Sequence, residues 1–214
     1  MPKDNRNGNR TRRQSRTGRL PQRTSKHIII VTDGRETEIN YINGLKKTIT
    51  GSGIRITIKQ ENPPENLVKE VLRLKNLSAA SEPEPWVFFD RDDVPKFDDI
   101  IREAEENGVN TAWSNPCVEI WFSAHFENIK TYTQSKQCID EFKDLYYRKT
   151  RNPYRKNDEE IYRRLTESGD ETKAIERAEN LMRKYAENTI TKPSEMMPGT
   201  TVSKLIKSIR EEQS

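Results

Sequence analysis

The sequence predicts an α/β fold: a mostly parallel four-stranded sheet flanked by helices, a largely helical C-terminal extension and a disordered basic N-terminal arm. Three observations carry this. Short apolar runs alternate with stretches of helical periodicity between His27 and Trp113. Two of those runs end abruptly in acidic residues, at Asp33 and at Asp90. Almost no apolar side chain occurs in residues 1–26, too few to form a core.

The elements follow in order. "HIIIVTD" is a short β-branched run and predicts a buried strand. "ETEINYINGLKKTI" places Ile39, Ile42, Leu45 and Ile49 at helical spacing, and the Gly-Ser-Gly from residue 51 ends that helix. "IRITIKQ" alternates apolar and polar residues, as an edge strand does. Pro63 and Pro64 open a helix through "ENLVKEVLRLKNL". "SAASEPEP" reads as a loop and "WVFFD" as a third, central strand. "VPKFDDIIREAEENG" is a helix that stops at Gly108, and "VNTAW" is a fourth strand. Strands alternating with helices indicate a parallel sheet, and right-handed crossovers put helices on both faces. From about Pro116 the chain reads as helical almost throughout. The expected division is an arm at 1–26, an α/β domain at 27–126 and a helical extension at 127–214.

Composition narrows the partners. Of 214 residues, 34% are charged and 31% hydrophobic, a polar balance for a folded chain. Residues 1–26 hold nine Lys/Arg against one Asp, a net +8; the whole chain is +4, so residues 27–214 carry −4. A basic arm on an acidic body fits a nucleic-acid ligand, and a solubilising leader is the plainer reading. Cys117 and Cys138 match no zinc or redox spacing and suggest a reducing compartment. No apolar run reaches the ~18 residues of a membrane span, and the N-terminus lacks a signal-peptide core. A soluble, cytoplasmic protein is expected.

Ligands of a parallel α/β sheet bind beyond the carboxyl ends of its strands. Asp33 ends the first strand; Asp90 and Asp92 end the third. If the two strands are neighbours, these carboxylates converge, and crowded carboxylates need a shared cation or proton. Oxygen-only ligands suit Mg²⁺ or Mn²⁺. In extended chain, residues i and i+2 point the same way, so Asp90 and Asp92 are expected to face one metal while Arg91 points elsewhere. Gly34 is expected to permit a tight turn and close approach of a phosphate to the backbone. Glu36 is explained by ordinary helix-start electrostatics, and Glu38 is open to the same explanation.

These motifs, an acid plus glycine after the first strand and Asp-x-Asp after the third, resemble the TOPRIM domain of topoisomerases, primases and OLD-family nucleases. More specifically, "TDGRETEINYINGL", "VFFDRDD", "AWSNPCVEIWFSAHF" and "PGTTVSKLI" resemble the RloB family, a bacterial family of restriction and abortive-infection loci. The resemblance covers about residues 27–210. It implies a TOPRIM-like nuclease used in phage defence, often beside an ABC/SMC-type ATPase subunit. It maps the general acid/base and metal ligand onto Asp33, the metal-holding pair onto Asp90 and Asp92, and a second-metal ligand onto Glu38. The usual first acid is Glu; Asp33 is one methylene shorter, which puts full activity in question.

Glu119 lies among Trp113, Val118, Ile120, Trp121 and Phe122, a costly setting for an unpaired carboxylate. Two readings stay open: a further catalytic acid, or a carboxylate paired with an arginine or merely exposed. His125 reads as structural, and the aromatic side chains as core. "YYRKTRNPYRK" interleaves Arg148, Lys149, Arg151, Arg155 and Lys156 with three tyrosines, as a nucleic-acid contact surface does. Lys204 is a further candidate phosphate donor. The leading expectation is a metal-dependent endonuclease acting on DNA or on RNA, tRNA included. The alternatives are a HAD-like phosphatase or phosphotransferase using Asp-x-Asp, and a catalytically decayed partner of an ABC/SMC-type ATPase.

Overall fold

The computed structural model describes residues 26–50, 52–92, 94–132 and 134–210. Apart from Lys26, the expected basic arm lies outside the described residues, as does Asp93 of the second acidic motif. The sheet comprises β1 (Lys26–Thr32), β2 (Ile54–Gln60), β3 (Pro83–Asp90), β4 (Asn110–Asn115) and β5 (Gly199–Thr200). Their order is β2-β1-β3-β4-β5. The first four strands are parallel, and β5 pairs antiparallel with β4. The expectation of four strands is corrected to five. A two-residue strand has no periodicity to betray it, and its partner is far away in sequence.

β1 and β3 are continuous apolar runs because both their faces are covered. On one face Ile28, Ile30, Trp86 and Phe88 meet Tyr41, Ile42 and Leu45 of α1 (Thr37–Thr48). The same core takes in α4 (Glu119–Ala124), α5 (Ser135–Thr150), α6 (Ile161–Ser168), α7 (Glu171–Glu187) and α8 (Val202–Arg210). On the other face Ile29, Val31, Val87 and Phe89 meet α2 (Leu67–Asn76) and α3 (Phe97–Glu106). Side chains of successive strand residues alternate between the two cores, as the pleat requires. No helix among the described residues is long and apolar enough to cross a membrane.

β3 starts earlier than expected. Pro83 and Pro85, read as loop, pair with His27 and Ile29 of β1. β4 pairs with β3 only from Trp86 onward, so both prolines stand where that edge is open and a missing N–H is tolerated.

The chain leaves β1 toward β2 on one side and reaches β3 and β4 on the other. The connections therefore reverse between β1 and β3. Beyond the carboxyl ends of those two strands the loops diverge and leave a crevice.

Candidate active site

β1 and β3 are neighbours, with Thr32 opposite Phe88. Asp33 follows the last residue of β1 and Asp90 ends β3, so both emerge at the same rim from neighbouring strands, Asp90 one residue further along. A cavity of about 450 Å³ opens there, lined by Gly34, Glu38, Asp90, Glu119 and Lys156, with Arg35 and Glu36 at its exposed side.

Each acid reaches the cavity by its own route. Asp90 is the last residue of β3; its Oδ2 accepts the Val118 N–H at 2.9 Å, while its Oδ1 is buried with no hydrogen-bond partner among the described residues. Glu38 enters from the first turn of α1 and is 6% exposed. Its carboxylate lies flat on Gly34, so close that a Cβ there would sit 1.8 Å from Oε2. Gly34 does not take the left-handed conformation, which among the described glycines is kept by Gly53 and Gly108. The turn thus takes no left-handed conformation at Gly34, and the space its missing Cβ leaves is filled by the Glu38 carboxylate. Glu119 opens α4, is 1% exposed, and accepts the Tyr154 hydroxyl at 2.8 Å. It is neither exposed nor, among the described residues, paired with an arginine; its partner is a tyrosine.

The electrostatics are those of carboxylates crowded out of water. Burial is the largest influence on all three that shift. It drives Glu38 up to about 7 against its own backbone N–H, with repulsion from Asp33 and Glu119 adding and Lys156 opposing. It lifts Asp33 to about 6 against hydrogen bonds from its own and the Gly34 backbone N–H. Asp90 is pushed well above the carboxylate range by burial, then by Glu38, Glu119 and Asp33, with Val118 N–H opposing. Burial works against the charge on Lys156, yet Glu119, Asp90 and Asp92 hold it above the usual lysine range. Tyr154 is raised by burial and by Glu119, so it keeps its proton and donates it.

Asp92 departs from expectation. β3 ends at Asp90, and the next residues turn: Arg91 N–H bonds Ser114 C=O, Asp92 N–H bonds Pro116 C=O, and Val94 N–H closes back on Arg91 C=O. Strand alternation does not continue past the strand. Asp92 is exposed, accepts the Ser135 hydroxyl at 2.6 Å, and lines a second cavity together with Arg91. Its charge still reaches Lys156.

The basic stretch divides as well. Tyr146 and Tyr154 are buried, and Tyr147 is the exposed tyrosine of the three, so the expected interleaved stacking surface is reduced to one ring. Arg148, Lys149, Arg151 and Arg155 are exposed. The segment after α5 runs through Arg151, in a left-handed conformation, and carries Lys156 into the acid cavity. It is pinned there by the Thr37 hydroxyl, which donates to Lys156 C=O at 3.1 Å. Lys204 lies elsewhere. α8 descends from Thr201, bonded to Thr111 and Trp113, to Ser208, bonded to Lys26 at the amino end of β1. Lys204 is exposed on that descent, away from the carboxyl rim. His125 is fully buried on Trp121, as its structural reading implied. Reading the sequence missed Tyr154 and Thr37 as supports of the acid cavity and Ser135 as the partner of Asp92 in the second; no spacing marks them, because each meets its partner only through the fold.

An all-oxygen donor set with an orphaned buried carboxylate oxygen matches the ligand chemistry of a hard divalent cation. As the side chains stand, no three His, Cys, Asp or Glu among the described residues are arranged to hold an ion. Asp90 Oδ2 is occupied by Val118, Glu119 Oε1 by Tyr154, and Lys156 shares the cavity.

Fold and cavity together define a mostly parallel α/β protein with an acidic crevice at the reversal of its strand connections. A family model described as RloB-like protein matches residues 28–209, and the chain belongs to that family. No curated protein and no solved structure matches it.

Proposed function

We propose that this protein is a metal-dependent nuclease, hydrolysing phosphodiester bonds of RNA or DNA in the crevice between β1 and β3. The observation that carries this reading is the gathering of Glu38, Asp90 and Glu119 in one cavity with Lys156, beside Asp33. Likeness of the motifs to TOPRIM nucleases supports it. Asp33, Glu38 and Asp90 would hold Mg²⁺ or Mn²⁺, the unpartnered Oδ1 of Asp90 being a free ligand atom. When bound, a divalent cation supplies Lewis-acid polarisation of a phosphoryl oxygen. Glu119, oriented by Tyr154, takes a proton from the attacking water. Lys156 holds a non-bridging phosphate oxygen, and Arg148, Lys149, Arg151 and Arg155 guide the strand toward it by charge. Bacterial phage defence, a cytoplasmic location and an ABC/SMC-type ATPase partner enter this proposal from the family resemblance.

A second reading is favoured by one observation: the acids do not surround a common point as they stand. On that reading the chain is a non-hydrolytic nucleic-acid-binding subunit whose site has decayed. A phosphotransferase reading fits less well, because an Asp90 nucleophile leaves the Asp33, Glu38 and Glu119 carboxylates gathered around it without a role.

Calorimetry with Mn²⁺ on the wild type and Asp90→Asn, paired with a panel of RNA and DNA substrates, separates the two main readings. The nuclease reading expects Mn²⁺ uptake and cleavage by the wild type, both lost in the variant. Failure of the wild type to bind Mn²⁺ at millimolar concentration would leave the binding subunit standing.

A further inference from the structure

The larger cavity, about 820 Å³, opens on the other side of the β3 end, between the start of α3, the end of β4 and the start of α5. None of the acid-cavity residues lines it. Its volume lies in the range of small-molecule sites.

Three features bear on what it takes. First, its carboxylates are already engaged: Asp92 by the Ser135 hydroxyl at 2.6 Å, Asp98 by Ser194 N–H at 2.8 Å and its hydroxyl at 2.5 Å, and Asp99 by Arg102 at 2.7 Å. Its cations are not. Arg91 and Lys96 have no side-chain partner among the described residues. The two cations are thus the charged groups left open to a ligand, in a lining where hydrogen-bonded Asp92 and Asp98 still carry negative charge.

Second, Asn115 is fully buried at its wall. Its amide N–H groups donate to Pro193 C=O at 3.1 Å and Ser194 C=O at 3.3 Å, while Oδ1 has no partner among the described residues. Oδ1 is closed to solvent as the wall stands, so a ligand completes this unmade bond only where the wall gives way. Third, the rest of the wall mixes the Gln134 amide with the apolar surfaces of Pro95, Pro116 and Met197. Flat apolar surface beside amides suits a nucleobase, and free cations suit the phosphate attached to it.

Position adds the link to the acid cavity. Arg91 directly follows Asp90, so the two cavities flank one strand end. We propose that the larger cavity is a nucleotide subsite. It takes the base and ribose of the residue adjoining the scissile phosphate, with that residue's own phosphate on Arg91 and Lys96. The subsite rests on the nucleic-acid reading of the acid cavity, and its placement beside the scissile bond on the nuclease reading.

The test uses the full chain in metal-free buffer. The four 5′-ribonucleoside monophosphates, inorganic phosphate and a tetranucleotide are titrated into the wild type, Asp90→Asn and the double variant Arg91→Ala/Lys96→Ala, read by calorimetry. Thermal melts confirm that each variant folds. Expected is binding of at least one monophosphate to the wild type and Asp90→Asn alike, weakened about ten-fold or more in the double variant, as loss of charged phosphate contacts implies. The tetranucleotide binds more tightly than any monomer. The subsite is overturned if the double variant binds monophosphates as the wild type does, if no monophosphate binds at millimolar concentration, or if inorganic phosphate binds equally well. A tetranucleotide no tighter than the best monomer overturns its placement beside the scissile bond. Intact monophosphate binding without Mn²⁺ uptake or cleavage sinks the nuclease reading and leaves the subsite.

Discussion

Tyr154 donates its hydroxyl to Oε1 of Glu119 across 2.8 Å, joining the segment after α5 to the first residue of α4. The ring itself packs edge-on against Phe142 and Tyr146. Tyr154→Phe therefore keeps the packing and removes one hydrogen bond to a buried carboxylate. The expected loss is about 1.5–3 kcal/mol of stability, the range for a bond to a charged group. Cleavage falls with it, because Glu119 loses its orientation, and denaturant melts beside a single-turnover assay check both. Unchanged melts would show that the bond carries no stability.

Neutralising a cavity acid is expected to stabilise the metal-free protein. Glu38 titrates near 7 when folded, against an ordinary value of 4.5. The folded state then binds more protons than the unfolded chain between those pH values, so this group costs stability above pH 7 and the cost disappears as pH falls toward 4.5. At 1.36 kcal/mol per unit the full penalty is on the order of 3 kcal/mol. Glu38→Gln should be more stable than the wild type by roughly that amount at pH 8, with the gap closing by about pH 4.5. Urea unfolding at both pH values measures it; a gap independent of pH would contradict the assignment.

His125 has the opposite sign. Burial holds its ring down to about 3, with Asp170 opposing and Arg177 adding, and neither ring nitrogen has a partner among the described residues. The unfolded chain takes up this proton near 6.5 and the folded protein does not. Stability is intact above about 6.5 and declines as pH falls from there toward 3, by an upper limit on the order of 4–5 kcal/mol. His125→Leu should flatten that decline, which acid-unfolding curves of the two proteins would show directly.

Two glycines separate site from scaffold. Gly34→Ala would put a Cβ into the Glu38 carboxylate, a flexible side-chain end that can move out of the cavity. Folding should survive while Mn²⁺ affinity falls about ten-fold, the loss expected when one carboxylate is displaced. Gly44→Ala would put a Cβ 2.5 Å from Tyr162 Cβ, where α1 and α6 meet. That overpacking should cost about 1–3 kcal/mol and leave metal affinity of the folded protein alone. Calorimetry and melts on both variants should give this crossed pattern.

Particular residues show what the chain reveals before it folds. Ile28 to Val31 announce β1 because a strand covered on both faces must be apolar at every position. Asp33 and Asp90 stand out because each breaks such a run. The α/β class and the edge position of β2 follow from the same patterns. Asp92 could not be placed, because where β3 stops depends on hydrogen bonds to Ser114 and Pro116 in another element. Tyr154 looked like a surface aromatic in a basic stretch, and only the return of that segment to α1 and α4 buries it against Glu119. β5 was hidden for a like reason: two residues acquire their identity from a partner 86 positions away.

Lys156 is the acid-cavity cation on which Glu119, Asp90 and Asp92 act, exposed but pinned through its backbone to Thr37. A bound divalent ion competes with it for the same carboxylates. Lys156→Met removes the competitor, so Mn²⁺ should bind roughly ten-fold more tightly, the effect of relieving a charge repulsion of about 1.4 kcal/mol. The same change removes the group proposed to hold the phosphate, so cleavage should fall even at saturating Mn²⁺. Lys156→Arg keeps the charge and should preserve the wild-type metal affinity. Calorimetry gives the first quantity and single-turnover cleavage the second. Opposite movement of the two marks a lysine that competes with metal and serves substrate, whereas a Lys156→Met protein unchanged in both would make it a bystander at the rim.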